Sequence, residues 1–151
     1  MGAELSLDEV VRAISEFVKF KPARKYKIIV GTDSAARSEV NFITAITIWR
    51  IGNGGIHFWT RSGKTVCHDL RERIYKETIH SITLAQELRG RLKDALGDEF
   101  FWDDQIHIDV GENGPTREFI DTVVGMVKGY GFDAVIKPNA FGASTVADRH
   151  T

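Results

Sequence analysis

The chain predicts an α/β fold, a mixed five-stranded sheet with three strands in an antiparallel meander and two more in parallel, flanked by helices. Three observations predict it. The apolar run Ile28-Ile29-Val30 stops abruptly at Gly31-Thr32-Asp33-Ser34, the mark of a strand buried on both faces. Short, turn-bounded segments rich in Ile, Thr and aromatic residues follow, and such brief connections imply antiparallel neighbours. From residue 68 onward helical and strand patterns alternate, and that order demands right-handed parallel crossovers.

Taken in order, Ser6-Leu7-Asp8-Glu9 fits a capping box, in which Ser6 and Glu9 satisfy each other's free backbone donors. Val10, Val11, Ile14, Phe17 and Val18 recur at helical spacing, so a helix is expected over about 6–20, ended by Lys21-Pro22. Lys19, Lys21, Arg24, Lys25 and Lys27 form a loose basic cluster that reads as a solvated linker or a nucleic-acid contact. Strands are expected over 26–32, 40–51 and 56–61, the last two joined by Gly52-Asn53-Gly54-Gly55. One long amphipathic helix covers 68–96, weakened at Gly90 and closed by Gly97. A strand over 105–110, a helix over 116–130 with Gly131 as its C-cap glycine, a strand over 132–136 and a short helix over 142–149 complete the chain.

Bulk properties narrow the class. At 151 residues a single domain spanning 1–151 is expected. The 42% hydrophobic and 27% charged content supports a real core. A formal charge of -1 gives no overall pull toward nucleic acid, so such a partner must be met by a local patch or by bound cations. The one cysteine, Cys67, excludes an intramolecular disulfide and a cysteine-based zinc cluster. No apolar run reaches the ~18 residues of a membrane span, and the N-terminus lacks a secretory apolar region. No membrane partner and a cytoplasmic setting are therefore the expectation.

The chemistry lies in the acids. Asp33 ends a buried strand, where it serves either as a turn cap or as a ligand. Asp109 sits in an apolar segment, where a carboxylate needs a partner or a cation. Glu77 shares a helix stripe with Ile74, Ser81, Leu84, Ala85 and Leu88, so it interrupts the core-facing side, while Glu72 points away. Asp148 lies in the last helix. Placing the first and fourth strands side by side and parallel brings Asp33 and Asp109 together at their carboxyl ends, where ligands of open α/β sheets bind. Four such carboxylates cannot all stay ionised without cations, and magnesium or manganese suits their hard oxygen ligands. A two-metal carboxylate cluster is a way to hydrolyse phosphodiesters.

With those motifs in hand, the chain resembles the RNase H-like superfamily, and more closely the YkuK-like family of uncharacterised bacterial proteins. The resemblance is carried by Gly31-Thr32-Asp33-Ser34, by Leu70-Arg71-Glu72-Arg73-Ile74 with Glu77, by Ile106-His107-Ile108-Asp109-Val110-Gly111 with Asn113-Gly114, and by Val146-Ala147-Asp148-Arg149-His150-Thr151. It implies a divalent-metal-dependent nuclease with Asp33, Glu77, Asp109 and Asp148 as catalytic metal ligands, acting on RNA, an RNA/DNA hybrid or structured DNA. No basic protrusion or aromatic handle marks a hybrid-binding ridge.

Weaker signals surround this set. Asn113 lies in a strand-to-helix turn, where backbone donors favour phosphate. Lys137, at the end of the last strand, reads as a phosphate contact or a surface cation. His150, two residues past Asp148, is a candidate mobile acid or base near substrate. His107 shares a strand face with Asp109 and reads best as half-exposed. Trp49, Trp59 and Trp102 read best as core. Two other classes compete with the nuclease: a non-catalytic metal- or nucleic-acid-binding or assembly module on the same fold, and an actin-like phosphotransferase, which normally needs two such domains.

Overall fold

The computed structural model describes residues 5–34, 39–98 and 100–137. Its elements run α1 (Leu7–Phe20), β1 (Tyr26–Ser34), β2 (Glu39–Arg50), β3 (Gly55–Val66), α2 (Leu70–Leu96), β4 (Asp103–His107), α3 (Ile120–Gly129) and β5 (Asp133–Val135). The sheet order is β3-β2-β1-β4-β5. β1 and β3 each pair antiparallel with β2, while β4 pairs parallel with both β1 and β5. This is the mixed five-stranded sheet that the sequence predicts. The expected helix over 142–149 lies outside the described residues. Among those residues no helix is long and apolar enough to cross a membrane.

Local chemistry sets the helix ends. Ser6 Oγ accepts from the Glu9 amide, and the Glu9 carboxylate accepts from the Ser6 amide at 3.1 Å, closing the capping box that starts α1. Asp69 caps α2 by accepting from the Glu72 amide at 2.8 Å. Gly97, with φ 84°, ends it. α2 runs unbroken through Gly90, because its buried stripe from Ile74 to Leu92 continues past that residue.

Both crossovers, β3 to β4 through α2 and β4 to β5 through α3, move in the same direction across the sheet. Right-handed connections therefore place α2 and α3 on the same face. A single core confirms it, joining Val10, Ile14 and Val18 of α1 to Ile28 and Val30, to Leu88 and Leu92, and to Val123 and Val127. Ile29, Ile43, Ala45 and Trp59 form a separate buried cluster. Strand alternation assigns them to the opposite face.

Several boundaries differ from the sequence expectation, among them the end of β1, which runs to Ser34 instead of Thr32. β3 runs to Val66, because β2 keeps pairing with it beyond Arg61, across an irregularity between Asn41 and Ile43. β4 starts at Asp103 and stops at His107, since its register against β1 ends at Gly31↔His107. Asp109 therefore lies beyond the strand. A 3-10 turn over Arg117–Phe119 takes the first part of the expected 116–130 helix. β5 is shortened to three residues. Trp49, expected in the core, is 45% exposed.

Candidate functional site

The carboxyl ends of β1 and β4 and the first turns of α2 meet at one edge of the sheet. Thr32 and Ser34 project toward α2. Thr32 Oγ1 lies 2.7 Å from Ser81 Oγ and 2.9 Å from Thr44 Oγ1. One rung further on, Ser34 Oγ donates to Glu77 Oε2 at 2.6 Å. The two rungs match the spacing of both elements, because residues two apart on a strand and four apart on a helix share a face. The result is a buried polar ladder between α2 and the sheet, with Glu77 at its open end.

Glu77 is 7% exposed. Its pKa is pushed up to about 8, chiefly by burial, with the negative charge of Asp109 adding to the effect. The Ser34 hydrogen bond opposes the shift, as do the charges of Arg73 and Lys137. Arg73 Nε is itself buried without a hydrogen-bond partner.

Asp33 stands on the other side of β1. It pairs with Ile43, a member of the second buried cluster, and its Oδ1 accepts from the Ser34 amide at 2.8 Å. Past β4 the backbone leaves β1: the Ile108 amide donates to Val135 O at 2.9 Å, and the Lys137 amide donates to Val110 O at 2.9 Å. That path carries Asp109 to the edge, where its Oδ1 lies 2.5 Å from Lys137 Nζ.

The sequence expectations are therefore distributed as follows. Glu77 lies on the core-facing stripe of α2, and its charge and that of Asp109 sense each other. Asp33 is at the same edge but on the opposite sheet face. Among the described residues, no three His, Cys, Asp or Glu side chains form a group that could hold a metal ion. Asn113 is exposed in the turn after β4. Asp148 and His150 lie outside the described residues. His107, expected half-exposed, is 8% exposed, and burial, with help from the charge of Lys27, lowers its pKa to about 4. Its Nδ1 has no hydrogen-bond partner. The cause is its position on a central strand: His107 is flanked on both sides, by Gly31 of β1 and Val135 of β5.

Sequence reasoning missed Ser34 as the partner of Glu77 and Lys137 as the partner of Asp109. The first carried a signal, since Thr32 and Ser34 on one strand face mirror Glu77 and Ser81 on one helix face.

Comparison with known proteins adds two findings. The model of a family described as ribonuclease H-like matches residues 9–151. An uncharacterized protein, YkuK, of Bacillus subtilis (strain 168) is 32% identical over 161 residues, a match covering 99% of this chain and 92% of the Bacillus protein. No solved structure matches the chain.

Proposed function

The chain belongs to the ribonuclease H-like family, and from that premise we propose that it is a single-domain nuclease that hydrolyses phosphodiester bonds in RNA, RNA/DNA hybrid or structured DNA with magnesium or manganese. The observation that carries this reading is the state of Glu77. A carboxyl group buried beside a second carboxylate, with its pKa up at about 8, is poorly served by the protein alone. A divalent cation held at this edge would relieve both the desolvation and the repulsion. Carboxylate oxygens are the donors a hard ion takes, and Glu77 and Asp109 would be its first ligands.

In this proposal Asp33 reaches the edge from the other face of β1, and Asp148 supplies the fourth acid. Ser34 holds Glu77 Oε2, which orients the carboxylate and leaves Oε1 for a second ligand. Glu77 would hold such an ion as the carboxylate. Asn113, Lys137 and His150 are the proposed substrate contacts. When bound, the ion supplies Lewis-acid activation of water and neutralises charge on the phosphoryl oxygens.

One observation favours a second reading. Lys137 already neutralises Asp109 at 2.5 Å, as it would in a non-catalytic nucleic-acid-binding or assembly module. Labelled RNA, hybrid and branched DNA incubated in manganese with wild type, Asp33→Asn and Asp109→Asn separate the two. The nuclease reading expects cleavage by wild type alone. Equal cleavage by all three proteins, or none by any, removes it.

A further inference from the structure

Lys137 is built into the site more firmly than a surface cation. Its amide is tied to Val110 O at 2.9 Å, beside the glycine that follows. A Cβ on Gly111 would lie 3.1 Å from the Lys137 Cβ, so a side chain at 111 would crowd the lysine where it leaves the backbone. The ammonium ends 2.5 Å from Asp109 Oδ1, and the charges of Lys137 and Asp109 both act on Glu77. Yet the Lys137 side chain remains 54% exposed, so the pair is weak enough to be opened.

An ammonium and a divalent ion cannot share Asp109 without repelling each other. We propose that Lys137 is a phosphate contact released by the metal: its ammonium closes Asp109 until a divalent ion displaces it, and then binds a non-bridging oxygen of the nucleic-acid phosphate. The backbone tether keeps the freed ammonium within one side-chain length of the carboxylates. The proposal rests on the nuclease reading of the same edge, and it adds a coupling: ion and phosphate each strengthen the binding of the other through one lysine.

The test is direct binding. Manganese is titrated by calorimetry into wild type, Lys137→Met, Lys137→Arg and Asp109→Asn, each checked for folding by thermal melting. Short labelled RNA and DNA oligonucleotides are then titrated with and without calcium. Loss of the competing ammonium should tighten manganese binding by roughly two- to fivefold in Lys137→Met, with Lys137→Arg close to wild type. Calcium should tighten oligonucleotide binding to wild type, and that gain should vanish in Lys137→Met. Manganese binding that is lost in Asp109→Asn but no tighter in Lys137→Met overturns the lysine proposal and leaves the metal reading standing. An undiminished calcium gain in Lys137→Met does the same. Absence of manganese binding to every protein, wild type included, overturns both.

Discussion

Ser34 and Glu77, 43 positions apart in sequence, meet at 2.6 Å beneath the carboxyl edge of the sheet. The contact joins the end of β1 to the second turn of α2 and orients a buried carboxyl group whose pKa is pushed up to about 8. Because it favours the charged form of Glu77, its removal has a definite sign. Ser34→Ala should move the Glu77 titration above about 8, read by carboxyl-carbon NMR. An unchanged titration would mean that the hydroxyl has no hold on the acid.

The same group makes stability depend on pH. Glu77 titrates near 4.5 in the unfolded chain and at about 8 when folded, so between those values the folded state binds more protons. Its contribution is fully present below about pH 4.5 and is lost as the pH rises toward about 8. Chelator-treated protein should lose a few kcal/mol, roughly, over that window. Glu77→Gln should flatten this part of the profile in urea unfolding. If divalent ions bind here, manganese should stabilise wild type most at the alkaline end.

The hydroxyl rung one turn deeper is a structural counterpart. Thr32 serves both Ser81 and Thr44, all three buried. Thr32→Val keeps the shape and removes the shared partner, leaving two buried hydroxyls short of a bond. The expected loss is about 1–3 kcal/mol. A variant as stable as wild type would show that water or a rotated hydroxyl replaces the bond.

Arg50 anchors α1 without help from a carboxylate among its described contacts. Its guanidinium lies 3.8 Å from the Phe17 ring centroid and donates to Tyr26 Oη at 3.0 Å, to Asn53 Oδ1 at 3.3 Å and to Phe17 O at 2.5 Å. Arg50→Ala should destabilise by about 2–4 kcal/mol. Arg50→Lys should recover little, since an ammonium cannot serve three acceptors and a ring in one plane. Urea midpoints with an unchanged slope are the readout.

Gly55 opens β3 where β2 turns back. A Cβ there would fall 2.6 Å from Ile48 O, a backbone atom that cannot move without disturbing the hairpin. Gly55→Ala should cost about 1–3 kcal/mol, whereas alanine at Gly90, with open space around it, should be neutral or slightly stabilising. Comparable melting temperatures for the two variants would contradict the geometry.

Much of this fold was legible because its signals are local. Ser6 and Glu9 announced the start of α1, and Gly97 the end of α2. The fourth strand ends earlier than its apolar pattern, at His107. Ile108 and Val110 are buried, so the apolar pattern runs on, but the backbone there bonds to the β5 side instead of β1. Hydrophobicity reports burial, not ladder membership. At the site, the sequence located Glu77 on the core stripe because helix phase is fixed by its neighbours. It could not say whether Asp33 or Ser34 faces α2, because a one-residue change of strand phase exchanges them. The pairing of Asp109 with Lys137 was beyond reach, since the whole β4–α3–β5 crossover must fold before the two meet.

That crossover makes the molecule divisible. Five paired positions along β1 and β4 join a piece carrying Asp33, Ser34 and Glu77 to a piece carrying Asp109 and Lys137. A backbone cut in the connection between α2 and β4 would give two inert halves. Mixing them would rebuild the edge only where the parallel seam re-forms, so the proposed ion binding, if regained, would report two chain fragments finding each other.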